Sequence, residues 1–266
     1  MIEIGKTEVY GWEAAIRGMR NPMNSWDKSD SGYCEGRCSK CDNCPIKPLD
    51  DYAPCYQAHI KEGNLYVVGE KDLTLMKQLV KAGTDHSKFM RMITVTCDIV
   101  APLYWWKEFD TYKVGTVRNS CSTMHTIHKK KFELDDFSHE HMYSDDDGTG
   151  APDHAEQVTE NVLMDIISNL NYSREYYLET GDKRAWYNMI QLLPCSYNQK
   201  ATVQMNYAVL RNMYHSRKNH KLNEWHDFCV WISDLPYHEL IIMKPEETQH
   251  GETITLQFKG RLVSET

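Results

Sequence analysis

The chain has 266 residues, of which 41% are hydrophobic and 11% aromatic, and 38 acidic residues against 30 basic ones give a formal charge of −8. This is the composition of a globular protein, and the net acidity argues against general nucleic-acid binding. No run of 18 apolar residues predicts a membrane span and the N-terminal sequence lacks a signal-peptide pattern, so we expect a cytoplasmic protein.

Helical and strand periodicities alternate over the first half of the chain. Residues 12–20 place apolar side chains at helical spacing, and a second helix is predicted from an N-cap at Asp72 to Gly83. Residues 91–100 alternate as a half-buried strand that Pro102 ends. The aromatic helix LYWWKEFDTY follows, with its rings expected in the core rather than stacked on a cofactor.

The middle of the chain is predicted to be polar and exposed. Residues 113–125, KVGTVRNSCSTMH, have the composition of a turn. Residues 133–160 hold ten Asp or Glu and no Lys or Arg, which leaves 30 basic and 28 acidic residues elsewhere. We therefore expect an exposed acidic loop over 133–157 and a slightly basic body.

The second half is predicted to be mainly helical. Apolar spacing indicates helices over 162–179 and 184–193, a short strand at TVQM, and helices within YAVLRNMYHSRKNHK and NEWHDFCVWISDL. TITLQF near the C-terminus indicates a hairpin. The sequence predicts one α+β domain over 1–266, with a mixed or antiparallel sheet and helices packed on it.

Five of the nine cysteines fall in one segment, which we interpret as a metal-binding insertion over residues 32–62. Thiols of a chain without an export signal are expected to be reduced and free to bind metal. Four thiolates on a loop can hold zinc, the C-x3-C-x2-C spacing also suits an iron–sulfur cluster, and a segment without metal is the third possibility. The candidate ligands are Cys34, Cys38, Cys41, Cys44 and Cys55.

Two clusters of polar residues are candidate anion sites. The basic cluster of Arg211, His215, Arg217, Lys218, His220 and Lys221 suits a phosphate or a polarised carbonyl, and its alternative is a solvated helix face. The turn at 113–125 can bind a phosphate or a pyrimidine edge, although such turns more often bond their own backbone. Its candidates are Lys113, Thr116, Arg118, Asn119, Ser120 and Ser122.

Several segments, taken in order, resemble flavin-dependent thymidylate synthases. LVKAGTDHSKF is similar to the family's LMKHGHxTPFEH, and TVTCDIVAPLYWW to its strand FTFxVKAPIFVxRQ. YYLETGDKRAWYNMIQLLPCSYNQ resembles YxxLxxxGxxxExARxxLPxxxYT, and NYAVLRNMYHSRKNHKLNEWHDF resembles NARSLMNFLxLRxxxxAQxEI. The similarity touches residues 66–120 and 172–235, with a fainter match of WEAAIRGMRNPMNSWDK to the family's first helix.

The resemblance implies an activity and its partners. Enzymes of this family bind FAD and methylate dUMP with methylenetetrahydrofolate and NADPH as co-substrates. They form homotetramers with active sites between subunits. The resemblance therefore implies one-carbon transfer to a deoxyuridine nucleotide.

Individual residues carry the resemblance unevenly. Arg217 falls on the arginine that contacts the uracil ring, which makes it the catalytic candidate, and Arg211 lies on the same helix as a substrate-binding candidate. Asn206 matches the first position of NxRS, where Ala208 replaces a phosphate-binding arginine. The cofactor candidates by this resemblance are His86, Asn219 and Asn223.

The family's signature RHRxxSxNExSxR is eroded in this chain. Only Asn119 and Ser122 match at the expected spacing, so Lys113 or Arg118 would have to supply the phosphate-binding charge. Two other classes therefore stay open. One is a non-catalytic pyrimidine-nucleotide-binding protein that kept the fold, and the other is a metal-stabilised interaction protein.

Overall fold

The computed structural model describes residues 2–33, 66–143 and 159–244. They belong to two compact units, the first made of Met1–Gly11 and Ile93–Ile241. The second unit comprises the described residues of Trp12–Met92 and of the segment from Ile242 to Lys244. No helix in the described ranges is long and apolar enough to cross a membrane.

Strands and helices alternate along the described residues. The strands are β1 (Glu3–Tyr10), β2 (Gly32–Tyr33), β3 (Tyr66–Val67), β4 (Thr94–Pro102), β5 (Val117–Ser120) and β6 (Asn198–Asn206). The helices are α1 (Trp12–Arg20), α2 (Glu70–Lys81), α3 (Leu103–Phe109), α4 (Thr123–Thr126), α5 (Thr159–Thr180), α6 (Lys183–Leu192), α7 (Tyr207–Arg217), α8 (Asn223–Ser233) and α9 (Glu239–Ile242). The α+β class predicted from the sequence is confirmed.

The first unit is built on a four-stranded antiparallel sheet with the order β1–β4–β6–β5. Alternate residues of β4 point into the core and face alternate residues of β6, so that Val95 pairs with Met205 and Cys97 with Val203. The predicted strand is confirmed, and Pro102 is its last residue.

An aromatic core lies under α3. Trp105, Trp106 and Phe109 are buried, and the Trp105 ring lies 4.8 Å from the ring of Trp225 in α8. Trp106 Nε1 also donates to the backbone carbonyl of Gln199 in β6, at 2.9 Å, which fixes α3 against the sheet. These rings pack in the core, as expected, and are not available to stack on a cofactor.

A second apolar cluster in the first unit lies between α5 and α6. Leu163, Ile167, Leu170 and Met189 of these helices pack with Phe132 and Phe137. Phe137 follows a 3-10 turn at Leu134–Asp136 and is 1% exposed. The predicted acidic loop therefore begins with a segment that a buried ring holds in place. Burial of the Phe137 side chain stabilises the fold even though carboxylates surround it in the sequence.

The second unit is held together by a buried ion pair. Arg20 at the end of α1 donates from Nε to Asp72 Oδ1 of α2 at 2.6 Å, and the two side chains are 5% and 0% exposed. The predicted N-cap at Asp72 is wrong, since α2 begins at Glu70 with Gly69 as its N-cap. Asp72 faces the interior because a buried guanidinium needs a counter-charge.

Some predicted features lie outside the described residues. They are the metal candidates Cys34, Cys38, Cys41, Cys44 and Cys55, the remainder of the acidic loop at 144–158, and the TITLQF hairpin. Among the described residues, no group of three or more His, Cys, Asp or Glu side chains could hold a metal ion. The metal prediction therefore stays a prediction.

Candidate functional site

Arg217 lies at the C-terminal end of α7 with 18% of its side chain exposed. Its Nη1 donates to Glu108 Oε2 of α3 at 2.5 Å, and its Nε donates to Tyr112 Oη at 2.8 Å. Its guanidinium carbon lies 4.7 Å from the ring centroid of Trp225. A guanidinium held by a carboxylate, a phenol and an aromatic face has a fixed orientation, which recognition of a ligand requires.

The Glu108 carboxylate is the centre of this arrangement. Besides Arg217, its Oε2 accepts from Trp225 Nε1 at 3.1 Å and lies 3.2 Å from His220 Nε2. The side chain of Glu108 is nevertheless 34% exposed. We call these residues the Arg217 cluster: Glu108, Tyr112, Arg217, His220 and Trp225.

The order of the strands explains why the cluster forms. β4 and β6 are antiparallel neighbours that continue directly into α3 and α7, so the two helices leave the sheet at opposite ends. Asn206 caps α7 by accepting from the backbone N–H of Val209 at 3.0 Å. The helix spans about 16 Å, and this length brings its C-terminal Arg217 to α3.

Arg118 is bound to the protein itself. Its Nη1 donates to Asp110 at 2.6 Å, its Nη2 donates to Gln199 Oε1 at 2.5 Å, and its guanidinium lies 4.0 Å from the Trp106 ring centroid. The charge of Arg118 is thus compensated by Asp110 in this structure. A phosphate would have to compete with these contacts.

The polar segment that contains Arg118 is partly a strand. The prediction of a turn over 113–125 is wrong for Val117–Ser120, which form the edge strand β5 and place Asn119 opposite Thr202 and Ser120 opposite Ala201. Edge strands tolerate polar residues because one side of the strand meets solvent. Ser122 lies beyond β5 and caps α4, accepting from the backbone N–H of His125 at 3.2 Å.

The remaining substrate candidates have different surroundings. Lys113 is exposed in the loop after α3. A Cβ on Gly115 in that loop would lie 2.5 Å from Asn206 Nδ2, so the loop packs closely on the capping residue of α7. Arg211 Nη1 donates to the backbone carbonyls of Leu240 and Ile241 at 3.2 and 3.0 Å, and burial lowers its pKa. Arg211 therefore bonds to α9 rather than to the Arg217 cluster.

The cofactor candidates fall in both units. Asn219 and Asn223 are exposed in the first unit, near the connection between α7 and α8, and Asn223 Nδ2 lies 3.2 Å from His141 Nε2. His86 is exposed in the second unit, in the turn that follows α2. Two of the three cofactor candidates, Asn219 and Asn223, thus lie exposed in the segment that follows Arg217.

Buried titratable groups near the core are poorly suited to acid–base or nucleophilic chemistry. Burial raises the pKa of Tyr104, and the hydrogen bond it donates to the buried Glu224 raises that pKa further. Burial also raises the pKa of the Cys97 thiol to about 12 and that of Cys229 to about 11. These three groups stay protonated at neutral pH.

Sequence reasoning missed Glu108 and Tyr112 as partners of Arg217. Both lie in the aromatic segment assigned to the core, and Glu108 is 109 residues from Arg217 in the chain. The available signal was a single carboxylate in a mostly aromatic helix, at LYWWKEF. Only the pairing of β4 with β6 identifies its partner.

Most of the chain is similar in fold to solved structures of enzymes. No protein-family model and no curated protein matches the sequence. Two crystal structures of thymidylate synthase X from Helicobacter pylori, both with FAD and dUMP, match with 17% identity and a TM-score of 0.55, covering 90% of this chain and 96% of theirs.

A second enzyme has a similar fold. The UMP/dUMP methylase PolB from Streptomyces cacaoi, bound with 5-Br dUMP, matches with 14% identity and a TM-score of 0.52, covering 90% of this chain and 93% of that one. At these identities the likeness concerns the fold. The chain has a divergent form of the flavin-dependent thymidylate synthase fold, as the resemblance of its sequence segments predicted.

Proposed function

We propose that this protein is a flavin-dependent enzyme that transfers a one-carbon unit to a deoxyuridine nucleotide, in a reaction of the dUMP-to-dTMP type. The observation that carries the proposal is the oriented, partly exposed guanidinium of Arg217. The solved structures of similar fold support it, because they contain dUMP or its 5-bromo analogue.

The chemistry asked of Arg217 is electrostatic. When C6 of a uracil ring accepts a hydride or a nucleophile, negative charge develops on a ring carbonyl oxygen. A guanidinium placed against that oxygen stabilises the charge, and its effect is larger where water is excluded. The ring of Trp225 and the phenol of Tyr112 keep the guanidinium in place, so little reorganisation is needed.

The described residues fit a flavin in their donor and acceptor chemistry. The exposed amides of Asn219 and Asn223 can bond the polar edge of the flavin ring, and exposed His86 joins them by the resemblance. FAD would supply hydride transfer, which amino-acid side chains do not provide. Methylenetetrahydrofolate would supply the carbon unit and NADPH the reducing equivalents. A homotetramer is part of the same proposal.

Fewer residues are available to bind the nucleotide phosphate here than in the family's signature. Lys113 is exposed and uncommitted to any ion pair among the described residues, so it is the first candidate for the nucleotide phosphate. Asn119, Ser120 and Ser122 of the edge-strand segment offer further donors. Arg118 joins them only if a phosphate displaces Asp110.

The test is nucleotide binding and turnover in Arg217→Ala and Arg217→Lys. Arg184→Ala is the matched control, because the Arg184 side chain is 92% exposed on α6. We expect Arg217→Ala to reduce dUMP affinity and turnover at least tenfold, since a charged hydrogen bond is lost. Arg217→Lys should rescue only part of this, because lysine cannot reproduce the fork of donors. Unchanged dUMP affinity and turnover in Arg217→Ala would refute the role proposed for Arg217.

A specific observation favours a second candidate function. Arg118 and Arg211, two of the cations expected to bind substrate, are bonded to acceptors of the chain itself. The signature that contributes to flavin binding in the family keeps only Asn119 and Ser122 here, so a nucleotide-binding protein that kept the fold and lost the flavin is the second candidate. Purified protein with flavin absorption bands supports the enzyme, whereas colourless protein that binds dUMP supports the second candidate.

A further inference from the structure

The ion pair of Arg217 and Glu108 has an open side. Three donors converge on Glu108 Oε2, but Glu108 Oε1 and Arg217 Nη2 have no hydrogen-bond partner among the described residues. Neither atom is among the buried polar atoms that lack a partner, so both are accessible. Because Nη1 and Oε2 of the same two groups lie 2.5 Å apart, the ion pair offers one unused donor and one unused acceptor on groups in direct contact.

A donor beside an acceptor binds a ligand edge with the opposite pattern. Each ring carbonyl of uracil is an acceptor that neighbours the N3–H donor. We infer that Glu108 is a specificity-determining residue, whose Oε1 accepts a hydrogen bond from N3–H while Arg217 Nη2 donates to the adjacent carbonyl oxygen. This inference rests on the proposed function and adds how the base is selected.

The cluster holds Glu108 in one orientation before any ligand binds. The buried indole of Trp225 and the imidazole of His220 both contact Oε2, the oxygen that faces Arg217. Tyr112 fixes the other side of the pair through Arg217 Nε. A preorganised acceptor loses little side-chain entropy on binding, so the N3–H bond contributes to affinity almost in full.

The positive charge beside Glu108 makes a carboxylate acceptable at this position. A carboxylate alone would repel the two carbonyl oxygens that flank N3–H in uracil. Arg217 offsets the negative charge at 2.5 Å and engages one of those oxygens. Together the two side chains present a donor and an acceptor with no net charge, so they select a ligand by its pattern of hydrogen-bonding groups. A lone Arg or a lone Glu offers only donors or only acceptors.

The test compares binding of dUMP, 3-methyl-dUMP and dCMP by isothermal titration calorimetry. In 3-methyl-dUMP the N3 hydrogen is replaced by a methyl group, and in dCMP N3 is an acceptor. We expect the unmodified protein to bind dUMP roughly 10- to 100-fold more tightly than either analogue, as expected for a lost hydrogen bond to a charged group. Equal affinity for dUMP and 3-methyl-dUMP would overturn the inference without any variant.

Glu108→Gln provides the second arm. With its amide oxygen on Arg217, the glutamine presents its NH2 group to the base, so the edge becomes donor–donor and matches N3 and the C2 carbonyl of cytosine. We expect the preference for dUMP over dCMP to fall at least tenfold or to reverse. Asp182→Asn, which changes a half-buried carboxylate that caps α6 and pairs with Arg184, should leave the preference unchanged, because asparagine keeps the capping oxygen.

The outcomes separate this inference from the proposed function. If Glu108→Gln folds and keeps the preference while Arg217→Ala loses dUMP, the role of Glu108 is refuted and the proposed function stands. If the unmodified protein binds none of the three nucleotides, the proposed function fails and the inference fails with it. A lost or reversed preference in Glu108→Gln supports both.

Discussion

Two arginine–carboxylate pairs, one in each unit, differ in their surroundings. One pair is suited to stabilising the fold and the other to binding a ligand. In the second unit, Arg20 and Asp72 are 5% and 0% exposed. In the first unit, Arg217 and Glu108 are 18% and 34% exposed. The charges and side-chain types are nearly the same, so burial and hydrogen bonding must distinguish the two pairs.

The Asp72 carboxylate is fully used. Its Oδ1 accepts from Arg20, and its Oδ2 accepts from Ser29 Oγ and Ser31 Oγ at 2.6 Å each and from the backbone N–H of Asp30 at 3.2 Å. Glu108 instead concentrates its partners on one oxygen and leaves the other open. A saturated pair stabilises the fold, whereas an unsaturated pair retains capacity for a ligand.

The largest expected effect comes from breaking the saturated pair. Asp72→Asn removes the charge that compensates buried Arg20, and we expect it to lower the free energy of unfolding by about 3 to 5 kcal/mol. Glu108→Gln, on a partly exposed pair, should cost about 1 kcal/mol or less. Urea denaturation of both variants measures the contrast, and equal losses would show that the two pairs do not differ as described.

The pH dependence of stability sharpens the same contrast. Burial raises the pKa of Asp72, but hydrogen bonds from Ser29, Ser31 and Arg20 and the charge of Arg20 outweigh it, so the pKa lies below its ordinary value. A lowered pKa in the folded state gives stability that is present above the unfolded pKa of about 4 and is lost as pH falls through the folded value.

We therefore expect the stability difference between the unmodified protein and Asp72→Asn to be constant from about pH 7 to pH 5 and to shrink below about pH 4. Urea midpoints and slopes measured across this range test the expectation. A difference that grows on acidification would mean that Asp72 is not the stabilising charge.

A smaller effect is expected at the start of α7, which positions Arg217. Asn206→Ala removes the cap on Val209 and should lower the free energy of unfolding by about 1 kcal/mol. Asn206→Asp keeps a capping oxygen and should preserve stability. Loss of dUMP affinity in both variants would indicate that the Asn206 amide also contacts the nucleotide, whereas loss only in the alanine variant would indicate positioning through α7.

The smallest effect is expected from shortening residues 34–65, here called the cysteine segment because they contain the five clustered cysteines. Gly32 pairs with Val67 and Tyr33 with Tyr66, so the chain enters and leaves residues 34–65 through adjacent strands. Replacing 34–65 by Asn-Gly would close a two-residue hairpin. The cost of Asp72→Asn in this shortened chain should match its cost in the full chain within about 0.5 kcal/mol. A vanished cost would show that the ion pair depends on the cysteine segment.

Local patterns in the sequence predicted most of the regular structure. Helical spacing identified α1, with Trp12, Ala15, Ile16 and Met19 buried, and alternation identified β4. These predictions succeeded because each element buries one face, and that face is written into neighbouring residues. β5 was missed because a four-residue polar edge strand has no apolar face to signal it.

The roles of individual charged residues depended on contacts between distant segments. Asp72 has the sequence position of a helix cap and is instead the partner of Arg20, 52 residues away. Arg118 lies in a segment whose composition suggested a phosphate site, but its guanidinium bonds to Asp110 and Gln199. No local pattern records such pairs, because the order of strands and the packing of helices decide which charges meet.

Local spacing and motifs in order were enough to predict the α+β class and the resemblance to flavin-dependent thymidylate synthases, and they made Arg217 the candidate whose role stays a prediction. The surroundings of Arg217, in contrast, follow from how the helices pack on the sheet. The antiparallel pairing of β4 and β6 brings α3 and α7 together, and Glu108 meets Arg217 only there. Whether a charge is saturated or open is a property of that packing, which sequence spacing does not encode.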